Sequence, residues 1–196
     1  MGDLMGLRDR NRRAAMRETQ RVALRRFRAD GFDEVRVEEI ADEVGIAAST
    51  IYRHFGTKEQ LVLWDEHDPE IDAALGRHLG KEPPLRAIRD ALIETLAERY
   101  EDDLSFELDR VSYIYETEQL HASAVEGEFR NRDELTTALR SVLPRRERAA
   151  APIVAGAALL ALDVAMDRWQ ADRGATPLGD CLVEAFATLE RLDEIG

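Results

Sequence analysis

The sequence predicts an all-α protein: an N-terminal three-helix unit containing a helix-turn-helix, followed by a C-terminal helical bundle. Three observations carry that prediction. Apolar residues recur at three-to-four spacing along most of the chain. Strand-like alternation is scarce. Gly and Pro fall between periodic segments. With 196 residues, 44% of them hydrophobic and 34% charged, the chain has a globular composition and room for a small domain fused to a larger one.

The spacing predicts a first helix from about Asp9 to Ala29. Gly31 sits where a left-handed C′ residue is wanted, and Phe32 follows at C″, placed to touch Phe27. A second, short helix covers Val37–Val44 and stops at Gly45 in the same way, with Ile46 after it. A third covers Ala48–His54. Thr57 with Gln60 forms a capping box that opens a fourth helix carrying Leu61, Val62, Trp64 and onward. Weaker periodicity predicts helices over Asp68–Leu79, Pro84–Glu101, Leu104–Tyr115, Glu118–Leu143, Arg145–Asp172 and Leu178–Asp193, with Pro83-Pro84, Pro144 and Pro177 at the joints. The expected division is 1–57 and 58–196, with the fourth helix as connector.

Charge is unevenly distributed. The net charge is −13. Residues 1–28 hold nine arginines against three acids, net +6, whereas residues 61–196 hold 15 basic against 29 acidic residues, net −14. A basic arm can neutralise phosphates while an acidic body limits non-specific contact. Charge alone is equally compatible with a solvated helix face.

The second and third helices, joined through Gly45-Ile46-Ala47, form the helix-turn-helix candidate. Val37, Ile40, Ala41 and Val44 share an inward face, as do Ile51 and Phe55. Ala48, Ser49, Thr50, Tyr52 and His54 are left on or near the outward side. Their size and polarity suit a helix lying in a major groove. Small residues permit close approach, Ser and Thr can bond bases or phosphates, and methyl groups of Ala48 and Thr50 can meet a thymine methyl. Tyr52, His54 and Lys58 can reach phosphates and set register. From spacing alone, an ordinary exposed helix face is an equal reading.

Residues 17–64 resemble the DNA-binding domain of the TetR family of bacterial regulators. The matching stretch is ALRRFRADGFDEVRVEEIADEVGIAASTIYRHFGTKEQLV (Ala23–Val62). Its pattern residues are Ala23, Leu24, Phe27, Gly31, Phe32, Ile40, Ala41, Gly45, Thr50, Tyr52, Phe55, Lys58, Glu59 and Leu61. The resemblance implies DNA-contacting roles for Thr50, Tyr52, His54 and Lys58, with Ala48 and Ser49 at the base-reading end. The chain departs from the pattern at several places. Arg36 replaces the usual threonine before the second helix; it cannot cap as an acceptor but can bind phosphate. Ala47 replaces the serine before the third helix, so a cap worth ~1 kcal/mol is missing. Thr19-Gln20 replaces an Ile-Leu pair and Arg26 a leucine, which changes the packing of the first helix.

The resemblance further implies a homodimer formed through the last two helices and a double-stranded, palindromic operator, because a reader of this type spans two half-sites about 34–36 Å apart. LVLWDEHDPEIDAAL (Leu61–Leu75) and AMDRWQAD (Ala165–Asp172) are similar to the subgroup containing the mycofactocin-system regulators, which implies a small hydrophobic or acyl-CoA-like ligand. An apolar pocket with a few polar anchors would serve it. Trp64, Phe106, Tyr113, Tyr115, Phe129 and Trp169 are candidate liners, and Arg110 and His121 candidate anchors for an anionic head group. Taken singly, each aromatic reads more readily as core packing. The expected role is that of a repressor released by ligand, with activation equally open.

Other classes find little support. G-x-S-x-G, H-E-x-x-H, P-loop and G-x-G-x-x-G patterns are absent, so no enzyme and no cofactor are expected. The Asp65-Glu66-His67-Asp68 run resembles a metal cluster, but adjacent helical residues splay, and a solvated turn is expected. One cysteine, Cys181, excludes an intrachain disulfide. The apolar run Ala149–Leu162 contains Pro152 and Gly156 and falls short of the ~20 residues of a membrane span, so no membrane partner and a cytoplasmic setting are expected.

Overall fold

The computed structural model describes residues 7–65 and 68–192, all of it helix and connecting turns apart from one isolated bridge between Leu79 and Glu82. Of the expectations above, Glu66 and His67 of the acidic run, Met1–Gly6 of the basic arm and the final Asp193 lie outside the described residues. The chain divides into two compact units, residues 1–66 with 112–124, and residues 67–111 with 125–196.

The first unit is built on α1 (Leu7–Asp30), α2 (Val37–Val44), α3 (Ala48–Phe55) and α4 (Gln60–Leu63), with the end of α8 (Leu104–Glu116) and the start of α9 (Glu118–Val142). Phe27, Val35, Ile40, Ala41, Ile51, Leu61 and Val62 are fully buried and form its core. The predicted Phe27–Phe32 contact is present, with ring centroids 5.0 Å apart. Gly31 donates to the Phe27 carbonyl at 2.9 Å, closing α1.

Two polar residues on α1 replace an apolar pair and are nonetheless buried. The Thr19 hydroxyl donates to the Ala15 carbonyl at 2.8 Å within its own helix. The Gln20 amide donates to the carbonyls of Val62, at 3.3 Å, and Trp64, at 2.7 Å. These contacts correct the expectation of a long fourth helix. The helix α4 is a single turn, and Trp64 leaves it in an extended conformation (φ −56°, ψ 125°). Gln20 holds two carbonyls there, the Trp64 ring packs edge-on against Phe55 at 5.7 Å, and helix resumes only at α5 (Asp68–His78), with Pro69 in its first turn. The N-terminal unit accordingly runs past residue 57.

The second unit contains α5, α6 (Pro84–Leu92), α7 (Glu98–Asp102), α10 (Ala151–Ala171), α11 (Leu178–Glu190) and the remaining parts of α8 and α9. The single helix predicted over Pro84–Glu101 is interrupted by a π-helical stretch, Ile93–Ala97. The Thr95 hydroxyl donates to Ala91 O at 2.7 Å and Leu92 O at 3.3 Å, satisfying carbonyls at the widened turn. Gly179 opens α11 against this stretch; a Cβ there would stand 3.1 Å from the Ala97 Cβ. The alanine face of α10 (Ala151, Ala155, Ala158, Ala161 and Ala165, ending at Trp169) is buried, and α10 packs on α6 and α11.

The α10 segment also corrects an expectation. A helical span over Arg148–Ala171, mean hydropathy 2.0 in its most apolar window, is long and apolar enough to cross a membrane by length and composition alone. Pro152 falls in the first turn of α10, where a missing N–H costs nothing, and so does not break the span.

Two tests follow from these contacts. Gln20→Met fills similar space but leaves two carbonyls without their donor; urea denaturation should show a loss of ~1–3 kcal/mol. His78 lies between Glu82, 2.9 Å away, and Glu94, 3.0 Å away, and these bonds raise its pKa above the usual value. The folded state therefore holds this proton more tightly than the unfolded state. The stability gained is fully present below ~6.5 and is lost as pH rises through the raised value. Wild type should exceed His78→Gln in urea midpoint by more at pH 5.5 than at pH 8.5.

Candidate nucleic-acid interface

The geometry of α2 and α3 is set at their ends. At the start of α2, Arg36 is extended (φ −92°, ψ 148°), and its backbone N–H donates to the Glu39 carboxylate at 2.9 Å. That bond is the main reason the Glu39 pKa lies below its usual value. Arg36 thus enters the helix start through its backbone, and its guanidinium remains exposed beside α2, 4.0 Å from Glu39. At the other end, Gly45 adopts φ +78°, and its N–H donates to Ala41 O at 2.9 Å while Ile46 donates to the same carbonyl at 3.0 Å. Only glycine reaches this conformation without strain, and it turns the chain sharply into α3.

No side chain caps α3. Ala47 cannot, and the Thr50 N–H is met by the Ala47 carbonyl at 2.8 Å. What holds α3 is burial: Ile51 and Phe55, one turn apart, are both in the core. The opposite face is thereby fixed outward. Ser49, Tyr52 (46% exposed) and Arg53 are exposed; Ala48, Thr50 and His54 are half-buried at its edges. Arg53 was not among the residues singled out from sequence. Its place was legible, since it stands four residues after Ser49 and so shares that face.

The basic groups around this face differ in how firmly they are held. The Lys58 ammonium sits 4.7 Å from the Phe32 ring centroid and 5.5 Å from that of Phe27, and it donates to Asp33 O at 3.5 Å. It is a positioned charge. Thr57 Oγ1 accepts from the Gln60 N–H at 3.3 Å, so the predicted capping contact is present on a helix of one turn. His54 has a lowered pKa, first because it is desolvated and then because Arg53 and Arg12 lie near. It is therefore neutral at pH 7 and can offer a hydrogen bond but no charge. Arg25 and Arg26 lie against Glu43, which offsets part of the acidity of α2.

The predicted ligand-lining residues divide between the two units, and within the second Arg110 and Trp169 share one neighbourhood through Tyr100. Trp64 and Tyr113 belong to the first unit, where Trp64 packs on Phe55 and the Tyr113 hydroxyl donates to the Phe27 carbonyl at 3.0 Å. Arg28 lies over the Tyr113 ring, 4.7 Å from its centroid. Tyr115 and His121 are in the same unit, with rings 5.7 Å apart. Phe129 lies on α9 and is 55% exposed. Phe106 is on α8, immediately before Glu107. Arg110 and Trp169 are buried in the second unit. Arg110 donates to Glu107 at 2.7 and 2.8 Å and to the Tyr100 hydroxyl at 3.0 Å, and Tyr100 meets Trp169 edge-on at 5.5 Å. Trp169 Nε1 is buried and finds no hydrogen-bond acceptor among the described residues. Glu107 and Tyr100 were not singled out from sequence.

Comparison with known proteins gives a consistent result. Residues 21–63 match the family model described as "Bacterial regulatory proteins, tetR family", and residues 82–193 match that of the "MftR C-terminal domain". The chain is 36% identical over 88 residues, 44% of its length, to the HTH-type transcriptional regulator TcmR of Streptomyces glaucescens, and it spans only 39% of that protein. Among solved structures, it aligns with the TetR family transcriptional regulator PfmR from Thermus thermophilus (TM-score 0.46, 21% identity, covering 88% of this chain and 97% of that one). It also aligns with a transcriptional regulator of the TetR/AcrR family from Thermobifida fusca (TM-score 0.39, 20% identity, 89% and 95%). With one family model on the helix-turn-helix and a second over more than half of its length, the chain belongs to the TetR family of bacterial regulatory proteins and carries an MftR-type C-terminal domain.

Proposed function

We propose that this protein is a homodimeric, sequence-specific DNA-binding transcriptional regulator. It acts in the cytoplasm as a repressor and leaves its palindromic operator when the C-terminal bundle takes up a small hydrophobic or acyl-CoA-like ligand. The observation that carries the DNA-binding reading is the outward face of α3, where Ser49, Tyr52 and Arg53 stand exposed on a helix anchored from behind by Ile51 and Phe55. Ser49 and Arg53 reach base edges in the major groove, with Ala48 and Thr50 close against them. Tyr52, His54, Lys58 and Arg36 meet phosphates and set the register. Because His54 is neutral, the positive charge comes from Arg36, Arg53 and Lys58.

Support for a ligand site comes from the buried polar group in the second unit. Burying a guanidinium carries a desolvation cost that its pairing with Glu107 need not repay, which makes Arg110 a candidate for a role other than stability. Here Arg110, the Tyr100 hydroxyl and the unpartnered Trp169 Nε1–H all belong to one buried neighbourhood next to a π-helical stretch, a feature frequent at functional sites. An anionic or carbonyl group of the ligand competes with Glu107 for Arg110. Both Arg110 and Tyr113 lie on α8, so a ligand that moves α8 also acts on the Tyr113–Phe27 bond. The ligand shifts the balance only by its preference for the DNA-incompetent state. Support for the dimer comes from Ile153, Leu160 and Val164 on α10 and Val183 on α11, all exposed and apolar.

Fluorescence anisotropy with DNA flanking the protein's own gene tests the central reading. Wild type should bind specifically at fixed salt, and Tyr52→Ala should lose that binding to the non-specific level. Arg53→Ala, which removes a base-edge contact, should cost ~1–3 kcal/mol of specific binding and relax the sequence preference at that position. Long-chain acyl-CoA should release wild type but not Arg110→Met. Failure to enrich any sequence from a random DNA library would overturn the regulator reading.

A further inference from the structure

The corner where α8 meets α9, at Thr117, belongs to the first unit. Three of its side chains reach the last turn of α1 and the turn that follows it. The Tyr113 hydroxyl donates to the Phe27 carbonyl at 3.0 Å, Glu116 pairs with Arg28, and the Gln119 amide donates to Asp33 Oδ1 at 2.9 Å. The last of these has no part in the core. Gln119 and Asp33 are both exposed, and they stand 86 residues apart in the chain.

Asp33 is also where Lys58 is held. The Asp33 carbonyl accepts from the Lys58 ammonium at 3.5 Å, and the ring centroid of Phe32, the preceding residue, lies 4.7 Å from that ammonium. The turn between α1 and α2 thus carries, on consecutive residues, a cation–π partner and an acceptor for one lysine. This lysine stands beside the DNA-facing helices. The Glu39 carboxylate, influenced first by its bond from the Arg36 N–H, also feels the Arg36 guanidinium and Lys58, so two cations gather at the start of α2.

We propose that Gln119 and Asp33 are positioning residues for the Lys58 phosphate contact: the α8–α9 corner fixes the α1–α2 turn from outside, and the turn sets the ammonium. This rests on the DNA-binding reading above and assigns to it two residues that act on DNA only through a third.

The need for such a device is physical. Lysine carries a compact charge on a flexible four-carbon stem, and ordering it on a phosphate costs rotamer entropy. An ammonium already resting on a ring and a carbonyl has lost part of that freedom before DNA arrives. Only one of its three N–H groups is taken by Asp33, which leaves donors for a phosphate oxygen. The resting place is as well fixed as the turn that forms it. Phe32 and Val35 anchor the turn inward, both buried. Asp33 lies between them on the outer side, and the Gln119 amide holds it there. Gln119 is neutral and adds no net charge at the DNA face, so its effect on binding is one of placement.

Fluorescence anisotropy of the full chain tests this, with the duplex that wild type selects and with salt varied. Lys58→Ala should lower the slope of log affinity against log salt by about one. Gln119→Met keeps length and neutrality and removes the donor. It should weaken binding about twofold to tenfold and leave the order of preference among single-base operator variants unchanged. Added to Lys58→Ala, it should have no further effect, because its route to the DNA is gone. Circular dichroism melting confirms that each variant is folded. A Gln119→Met protein that binds as wild type does, or whose loss appears in full on top of Lys58→Ala, would overturn the positioning role and keep the regulator. So would a Lys58→Ala protein whose affinity and salt slope match wild type. A wild type that selects no sequence would overturn both.

Discussion

The N-terminal unit depends on burial across α1, α2 and α3, because neither of the last two is long enough to stand alone. Eight residues make barely two turns, below the length at which an isolated helix is stable in water. Ile40 and Ala41 of α2 and Ile51 and Phe55 of α3 close on Phe27 and its neighbours, and that closure supplies what helix propensity does not. The outward direction of Ser49, Tyr52 and Arg53 is a consequence. A residue can be aimed at a groove only if the opposite side of its helix is anchored, and here two large side chains one turn apart do the anchoring.

A second constraint is polar. The N-terminal unit buries Thr19 and Gln20 where apolar side chains would ordinarily pack, and each is satisfied. Gln20 also directs its donors to carbonyls at the end of α4, which ends that helix after one turn and fixes the Trp64 backbone. The Tyr113 hydroxyl acts similarly on the Phe27 carbonyl at the last turn of α1. Gln20 meets acceptors at and just past the end of a one-turn helix, whereas Tyr113 adds a second bond to a carbonyl that already accepts from Gly31.

The C-terminal unit is organised by small residues. The alanine face of α10 lets α6 and α11 approach closely, and Gly179 does the same against the π-helical stretch. The consequence is that Ile153, Leu160 and Val164 of α10 point outward and stand exposed among the described residues. The buried guanidinium–carboxylate pair of this unit, Arg110 with Glu107, gives it a polar centre.

The sequence by itself determined the helices and the turn. Boundaries of α2 and α3, the Gly45 ending, the Phe27–Phe32 contact and the joints of the bundle all rest on residues within a few positions of one another, and local propensity and spacing are written at that range. The outward face of α3 was legible for the same reason, Arg53 included, although spacing alone did not separate it from any exposed helix. Only the tertiary structure decided the length of α4, the attachment of Tyr113 to the first unit, and the assembly of Tyr100, Glu107, Arg110 and Trp169. Gln20 meets its carbonyls 42 and 44 residues away, and Tyr113 meets its own 86 away. Whether a polar or aromatic side chain is core, cap or anchor depends on which distant group it faces, and periodicity carries no record of that.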